Sequence, residues 1–216
     1  MAIEIVSTKR EVHYVKCMVY GESGVGKTYL LSTAPNPLII SAEEGLLSLA
    51  SMDLPVIEVK SMIETNAAFK YAKTSEYDTI CLDSLSELGE VLLEEFKQEE
   101  KDPRKAYLRM GEELTRFMRK LRSLEKHVVV LVKQGVIKDE LLGKITYAPG
   151  VPGQAFATQV PYFLDLLFCL RVEKGGNRFL QTQPNLQYMA KDRSGKLEQK
   201  EEPNLTKIFD KIVEKK

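Results

Sequence analysis

Eight consecutive residues, Gly21-Glu22-Ser23-Gly24-Val25-Gly26-Lys27-Thr28, have the types and spacing of a loop that grips a phosphate chain. Glycines let the backbone curl until its N–H groups face an anion, and the start of a helix adds partial positive charge. In the pattern G-x-x-x-x-G-K-[ST] the lysine reaches the β- and γ-phosphates and the hydroxyl holds Mg²⁺. Lys27 and Thr28 occupy those places. Thr79-Ile-Cys-Leu-Asp83-Ser84 supplies a second element. An apolar strand that ends in Asp delivers a carboxylate to the C-terminal edge of a sheet, beside such a loop. Asp83 would bind Mg²⁺ directly or through water, while Ser84 suits the cap of a following helix. Hydrolysis also needs a group that orients or deprotonates water. Ile39-Ile-Ser-Ala-Glu43-Glu44 ends in adjacent carboxylates, so Glu43 or Glu44 is the candidate base. The expected cofactors are ATP and Mg²⁺.

These side chains need strands that end on one rim. Short β-rich runs over 15–20, 38–41, 56–59, 79–82 and 128–132 alternate with helical patterns. The helices are expected after Lys27 and over 64–73, 85–98 and 108–125, the last with Leu114, Phe117, Met118, Leu121 and Leu124 on one face. Such alternation predicts an α/β fold with a mostly parallel central sheet flanked by helices. After Gln134 the rhythm changes. Residues 135–158 are rich in Gly and Pro and read as a long functional loop. Strands are then expected over 164–172, 178–182 and 186–190, with a turn at Gly175-Gly-Asn177 and a terminal helix over 205–213. The sheet should therefore close with an antiparallel C-terminal edge. The expected organisation is a short N-terminal extension (1–14), a core (15–200) and a C-terminal helix and tail (201–216).

With 216 residues the chain can bury one sizeable core. Lys and Arg number 31 and so do Asp and Glu, which excludes a uniformly basic nucleic-acid coat but not local patches. Cys17, Cys81 and Cys169 lie far apart in apolar runs and form no metal-binding pair, so buried thiols in a reducing compartment are expected. His13 and His127 have no metal-like neighbours in sequence and read as structural. No apolar stretch approaches the roughly 20 residues that span a bilayer, and the N-terminus lacks a signal-peptide hydrophobic region. A cytoplasmic protein without membrane partners is expected.

The motifs together resemble the ATPase core of the RecA recombinases. More narrowly, the chain is similar to the phage-encoded, core-only RecA-like proteins of the single-strand annealing (Sak) group, from about Val15 to Lys196. Ile39-Ile-Ser-Ala-Glu43 resembles the strand that ends in the family's catalytic glutamate, which favours Glu43 over Glu44. Val128-Val-Val-Leu-Val-Lys-Gln134 resembles the strand whose terminal polar residue senses the γ-phosphate, a role that falls to Gln134. The Gly/Pro segment stands in the place of the second DNA-binding loop, and residues 108–121 resemble the helix after the first. Ala190-Lys191-Asp-Arg193 resembles a basic pair that reaches ATP on the neighbouring subunit. The resemblance implies homo-oligomers with ATP at their interfaces, single-stranded DNA as partner, and a role in recombination. Only about 14 residues precede the first core strand, so neither the N-terminal assembly module nor a C-terminal DNA-gathering domain is expected. Annealing, or loading beside a single-strand-binding protein, is then expected rather than autonomous strand exchange.

Charge and aromatic residues give further DNA candidates. Residues 87–102 carry seven acids and two bases, and residues 103–126 eight bases and three acids. Solvated helix faces explain such blocks, but Lys101, Arg104 and Lys105 would also form a basic tip for phosphates. Tyr147 and Phe156 flank the Gly/Pro segment, where they would either stack on bases or anchor the segment to the core. The alternatives to a DNA-dependent ATPase are a helicase-type motor, a small-molecule phosphotransferase and a non-catalytic nucleotide-switched interaction module.

Overall fold

The computed structural model describes residues 11–43, 46–139 and 143–213. Six strands run parallel: β1 (Lys16–Gly21), β2 (Pro37–Ser41), β3 (Val56–Glu58), β4 (Thr79–Asp83), β5 (His127–Asp139) and β7 (Leu166–Val172), with β6 (Lys144–Gly150) between the last two in sequence. Their order across the sheet is β3-β2-β4-β5-β1-β7. Beyond β7 lie β8 (Arg178–Gln181), β9 (Lys191–Asp192) and β10 (Lys200–Glu201). Here β8 and β9 are antiparallel to β7, and β10 is antiparallel to β8. The fold is the expected mixed α/β one, with a mostly parallel sheet and an antiparallel edge.

Continuous β-branched and apolar runs form the central strands because both sheet faces are covered. Along β5, Val128, Val130 and Val132 face one core while Val129 and Leu131 face the other. The first core is filled from α2 (Met62–Thr74), α3 (Leu85–Glu99) and α4 (Pro103–Arg122); the second from α1 (Lys27–Leu31) and α6 (Leu205–Ile212). Side chains at the ends of α3, α4 and α6 begin the helices. Ser84 accepts from the N–H of Glu87, Asp102 from Arg104 and Asn204 from Lys207. Each such cap contributes about 1 kcal/mol. No helix among the described residues is long and apolar enough to cross a membrane. The three cysteines are buried and free.

Several boundaries differ from expectation. Helix α4 begins at Pro103 rather than Leu108, because Asp102 caps it and proline suits its first position. Helix α1 has only five residues, since Ala34-Pro-Asn-Pro37 ends it and starts β2. The described part of the Gly/Pro segment is largely regular structure. Strand β5 runs on past the sheet to Asp139 and returns as β6, followed by α5 (Gln154–Ala157) and a single helical turn at Val160–Tyr162. The base of this hairpin is tight: a Cβ on Gly135 would lie 2.8 Å from the Gly150 Cα, so only glycine allows the strands to cross so closely there. Residues 186–190 are not a strand. The Asn185 side chain accepts from the N–H groups of Gln187 and Tyr188, and a single bridge joins Tyr188 to Tyr147. That local turn outcompetes ladder pairing.

Candidate phosphate-binding site

Parallel strands bring their C-terminal ends to one rim. Gly21 at the end of β1 lies opposite Lys133 of β5, and Ser41 at the end of β2 lies opposite Asp83 at the end of β4. A crevice of about 550 Å³ opens there, lined by the 21–28 loop, Glu43, Asp83, Lys133 and Gln134. The loop enters α1 through Gly26, whose φ of 102° favours glycine. Because α1 is a single short turn, the fixed charge facing an anion comes from the loop N–H groups more than from a long helix dipole.

The Lys27 ammonium donates to the carbonyls of Gly21 (2.9 Å) and Glu22 (2.8 Å), so it lies folded across its own loop. Burial lowers its pKa, opposed by the charges of Glu43 and Asp83. Thr28 Oγ1 donates to Asp83 Oδ2 at 2.7 Å. This contact ties the two motifs into one site across 55 residues of sequence. Burial pushes the Asp83 carboxyl up to about 6; the Thr28 bond and Lys27 oppose this and Glu43 adds to it. The described residues hold no cluster of three or more acidic, His or Cys side chains suited to a metal. One hydroxyl and one carboxylate are nonetheless the donor set that suits Mg²⁺, which retains several waters and takes its other oxygens from phosphates. The residues present therefore fit that cation.

Glu43 is held at the same rim. Its Oε1 accepts from Ser84 Oγ at 2.6 Å, and the Ala42 N–H donates to the Asp83 carbonyl at 2.7 Å. Glu44 lies outside the described residues. Ser84 thus does two things, capping α3 and orienting Glu43; the sequence motif signals only the first. Gln134 lines the crevice, where the strand pattern puts it. Lys133, to which the sequence motifs assign no role, lines the same crevice. Arg178 is a second addition. Its Nε donates to the carbonyl of Val25 in the phosphate loop at 2.8 Å.

Lys191 and Arg193 are not brought to this crevice. The register places Lys191 opposite Leu167, itself opposite Met18, roughly 10 Å back along the sheet from Gly21. The Lys191 ammonium donates to the carbonyls of Pro161 and Leu164, both at 2.6 Å, and Arg193 pairs with Asp165 at 3.0 Å.

Lys101, Arg104 and Lys105 are exposed where α3 turns into α4. Arg104 opens a groove of about 890 Å³ along α4, which Arg116, Arg119 and Tyr107 also line, with Gln154 and Gln159 on the opposite wall. Part of the charge pattern is structural: Arg109 bridges Glu99 and Glu100 and lies over the Phe96 ring. The expectation that Phe156 contacts DNA is corrected. Phe156 is 4% exposed and packs against Phe163, because α5 turns it inward over the side-chain-free Gly111. Tyr147 is likewise an anchor, stacked on Tyr188 at 4.8 Å.

A family model described as an AAA domain matches residues 13–194. Among solved structures, the chain is similar to the KaiC-like protein PH0186 from the hyperthermophilic archaeon Pyrococcus horikoshii OT3. That similarity has a TM-score of 0.43 and 10% identity, and covers 77% of this chain and 76% of that one. No curated protein matches.

Proposed function

We propose that this chain, which belongs to the AAA domain family, is an ATPase that hydrolyses Mg²⁺-ATP and acts on single-stranded DNA. The observation that carries the ATPase reading is the Thr28–Asp83 hydrogen bond, which joins the phosphate loop to the cation-binding strand end beside Glu43. Lys27 exchanges its loop carbonyls for phosphate oxygens. Thr28 and Asp83 hold Mg²⁺, which supplies charge neutralisation at those oxygens when bound. Glu43, oriented by Ser84, accepts a proton from the attacking water. Gln134 contacts the terminal phosphate from within β5, one residue past the end of its pairing with β1.

Support for the DNA partner comes from the α4 groove. Arg104, Arg119 and an exposed tyrosine offer cations for phosphates and a ring for bases, while Arg116 in the same groove pairs with Glu113 at 3.0 Å. Lys101 and Lys105 extend that charge at the tip. The resemblance to phage annealing proteins supports a role in recombination or annealing, alone or beside a single-strand-binding protein. It also supports oligomers in which Lys191 and Arg193 complete a neighbour's site, since neither lines the crevice of its own chain. The test is ATP turnover with and without single-stranded DNA, using Lys27→Ala as control. DNA-stimulated turnover lost in that variant is expected. Turnover that survives Lys27→Ala would overturn the assignment of the crevice, and turnover indifferent to DNA would overturn the DNA partner.

A further inference from the structure

The phosphate crevice does not end at Glu43. It continues into a cavity of about 630 Å³ bounded by Ser41, Glu58, Lys60 and Glu87, and both Glu43 and Lys133 line the two spaces. Lys133 stands in register with Gly21, the first residue of the phosphate loop. Neighbouring strands lie about 4.8 Å apart, so the two backbones adjoin at the rim. Its backbone is fixed there. The Lys133 N–H donates to Ser86 Oγ at 2.9 Å, and Ser86 in turn donates to the Gly150 carbonyl at 2.6 Å. The side chain is less constrained: its ammonium pairs with Glu87 Oε2 at 2.6 Å and is half exposed.

Charge balance gives this placement its meaning. Among the described residues lining the crevice, Lys27 and Lys133 are the cations, against Glu22, Glu43 and Asp83. A triphosphate adds several more negative charges close to Glu43, and unopposed like charges at such distances are costly. The Lys27 ammonium lies on the loop carbonyls of Gly21 and Glu22; Lys133 lines both spaces together with Glu43, where the terminal phosphate and the attacking water must meet. An exposed ion pair such as Lys133–Glu87 is worth at most about 1 kcal/mol, so a phosphate oxygen can displace the carboxylate easily.

We infer that Lys133 is a second, in-chain cation for the terminal phosphate, parked on Glu87 and released to a nucleoside triphosphate but not to a diphosphate. This rests on the ATPase reading of the same crevice. The test compares equilibrium binding of Mg²⁺-ADP and a non-hydrolysable Mg²⁺-ATP analogue to the full chain. Lys133→Ala is expected to weaken the analogue roughly 10–100-fold, the scale of a lost charged hydrogen bond, and to leave ADP unchanged. Lys133→Arg should restore most of that preference. Glu87→Gln, which removes the competing carboxylate and keeps the fold's cation, should tighten the analogue severalfold without affecting ADP. Equal losses for both nucleotides in Lys133→Ala, or no loss for either, would overturn the assignment while leaving the ATPase intact. So would a Glu87→Gln variant with unaltered preference. Wild-type protein that binds neither nucleotide would overturn the ATPase reading and this one with it.

Discussion

Replacing Asp83 by asparagine should stabilise the metal-free protein while disabling it. Asp83 is 2% exposed, and burial raises its carboxyl from 3.8 to about 6. At about 1.4 kcal/mol for each tenfold change in proton affinity, that difference corresponds to about 3 kcal/mol. The sign follows from proton binding. Between the two values the folded chain holds this proton more tightly than the unfolded chain does. Stability therefore falls as pH rises through that window, and the full penalty is present above about 6. Asparagine has no ionised form and keeps an oxygen for the Thr28 hydroxyl. In a chelating buffer near neutral pH, Asp83→Asn should be more stable than the parent by up to about 3 kcal/mol, roughly 6–12 °C in Tm for a domain of this size. The advantage should shrink towards zero as pH falls below about 4, where Asp83 is protonated in both states.

Urea or thermal unfolding across that pH range measures the effect directly. Repeating the series with Mg²⁺-ATP supplies the functional half: ligand should stabilise the parent strongly and the variant weakly. A variant no more stable than the parent near neutral pH would refute the burial argument. An advantage that does not vary with pH would refute its electrostatic origin.

Glu43→Gln should retain nucleotide binding and lose turnover by about 10²-fold or more; Ser84→Ala should lose less turnover and also about 1 kcal/mol of stability through the α3 cap, both read by steady-state kinetics and melting. Phe156→Ala should cost about 3–5 kcal/mol by emptying a core position without altering the salt dependence of DNA binding, whereas removing charge at Arg104 and Arg119 should flatten that dependence. Burial holds His127 below its usual pKa while Nδ1 accepts the Val15 N–H at 3.0 Å; the unfolded chain then binds the extra proton first, so stability should fall as pH drops below about 6.5, and His127→Gln should flatten that limb in acid titrations. Mixing Lys27→Ala subunits with Lys191→Ala/Arg193→Ala subunits should recover turnover that neither has alone; a co-assembled mixture without recovery would confine both cations to their own chain.

The parts legible in the sequence are those with local signals. The phosphate loop is eight contiguous residues, and Asp83 ends a short, largely apolar strand followed at once by the helix-capping Ser84. The parallel sheet follows from β-branched runs separated by helical periodicity. Hairpin β5–β6 was hidden because its strands carry polar, Gly and Pro residues at the positions where a core strand carries valine. Its exposed Val136, Ile137 and Ile145 are the remaining trace of strand character. Its crossing depends on two glycines fifteen residues apart in sequence, each leaving room for the other.

Site residues outside the motifs are harder because they are defined by distant partners. Lys133 and Glu87 are 46 positions apart, and Arg178 reaches Val25 across 153. Neither contact has a spacing rule, so only the register of neighbouring strands brings them to the rim. Phe156 shows the converse. An aromatic side chain in a Gly/Pro segment has the same local signature whether it points at a base or into a core. What decides is the packing of α5 on α4: Phe156 joins the core beside Phe163, and its Cβ lies over Gly111 on a helix 45 residues earlier. The proposed DNA contact is therefore to be tested on the α4 groove arginines, Arg104 and Arg119, and not on the buried aromatic residue.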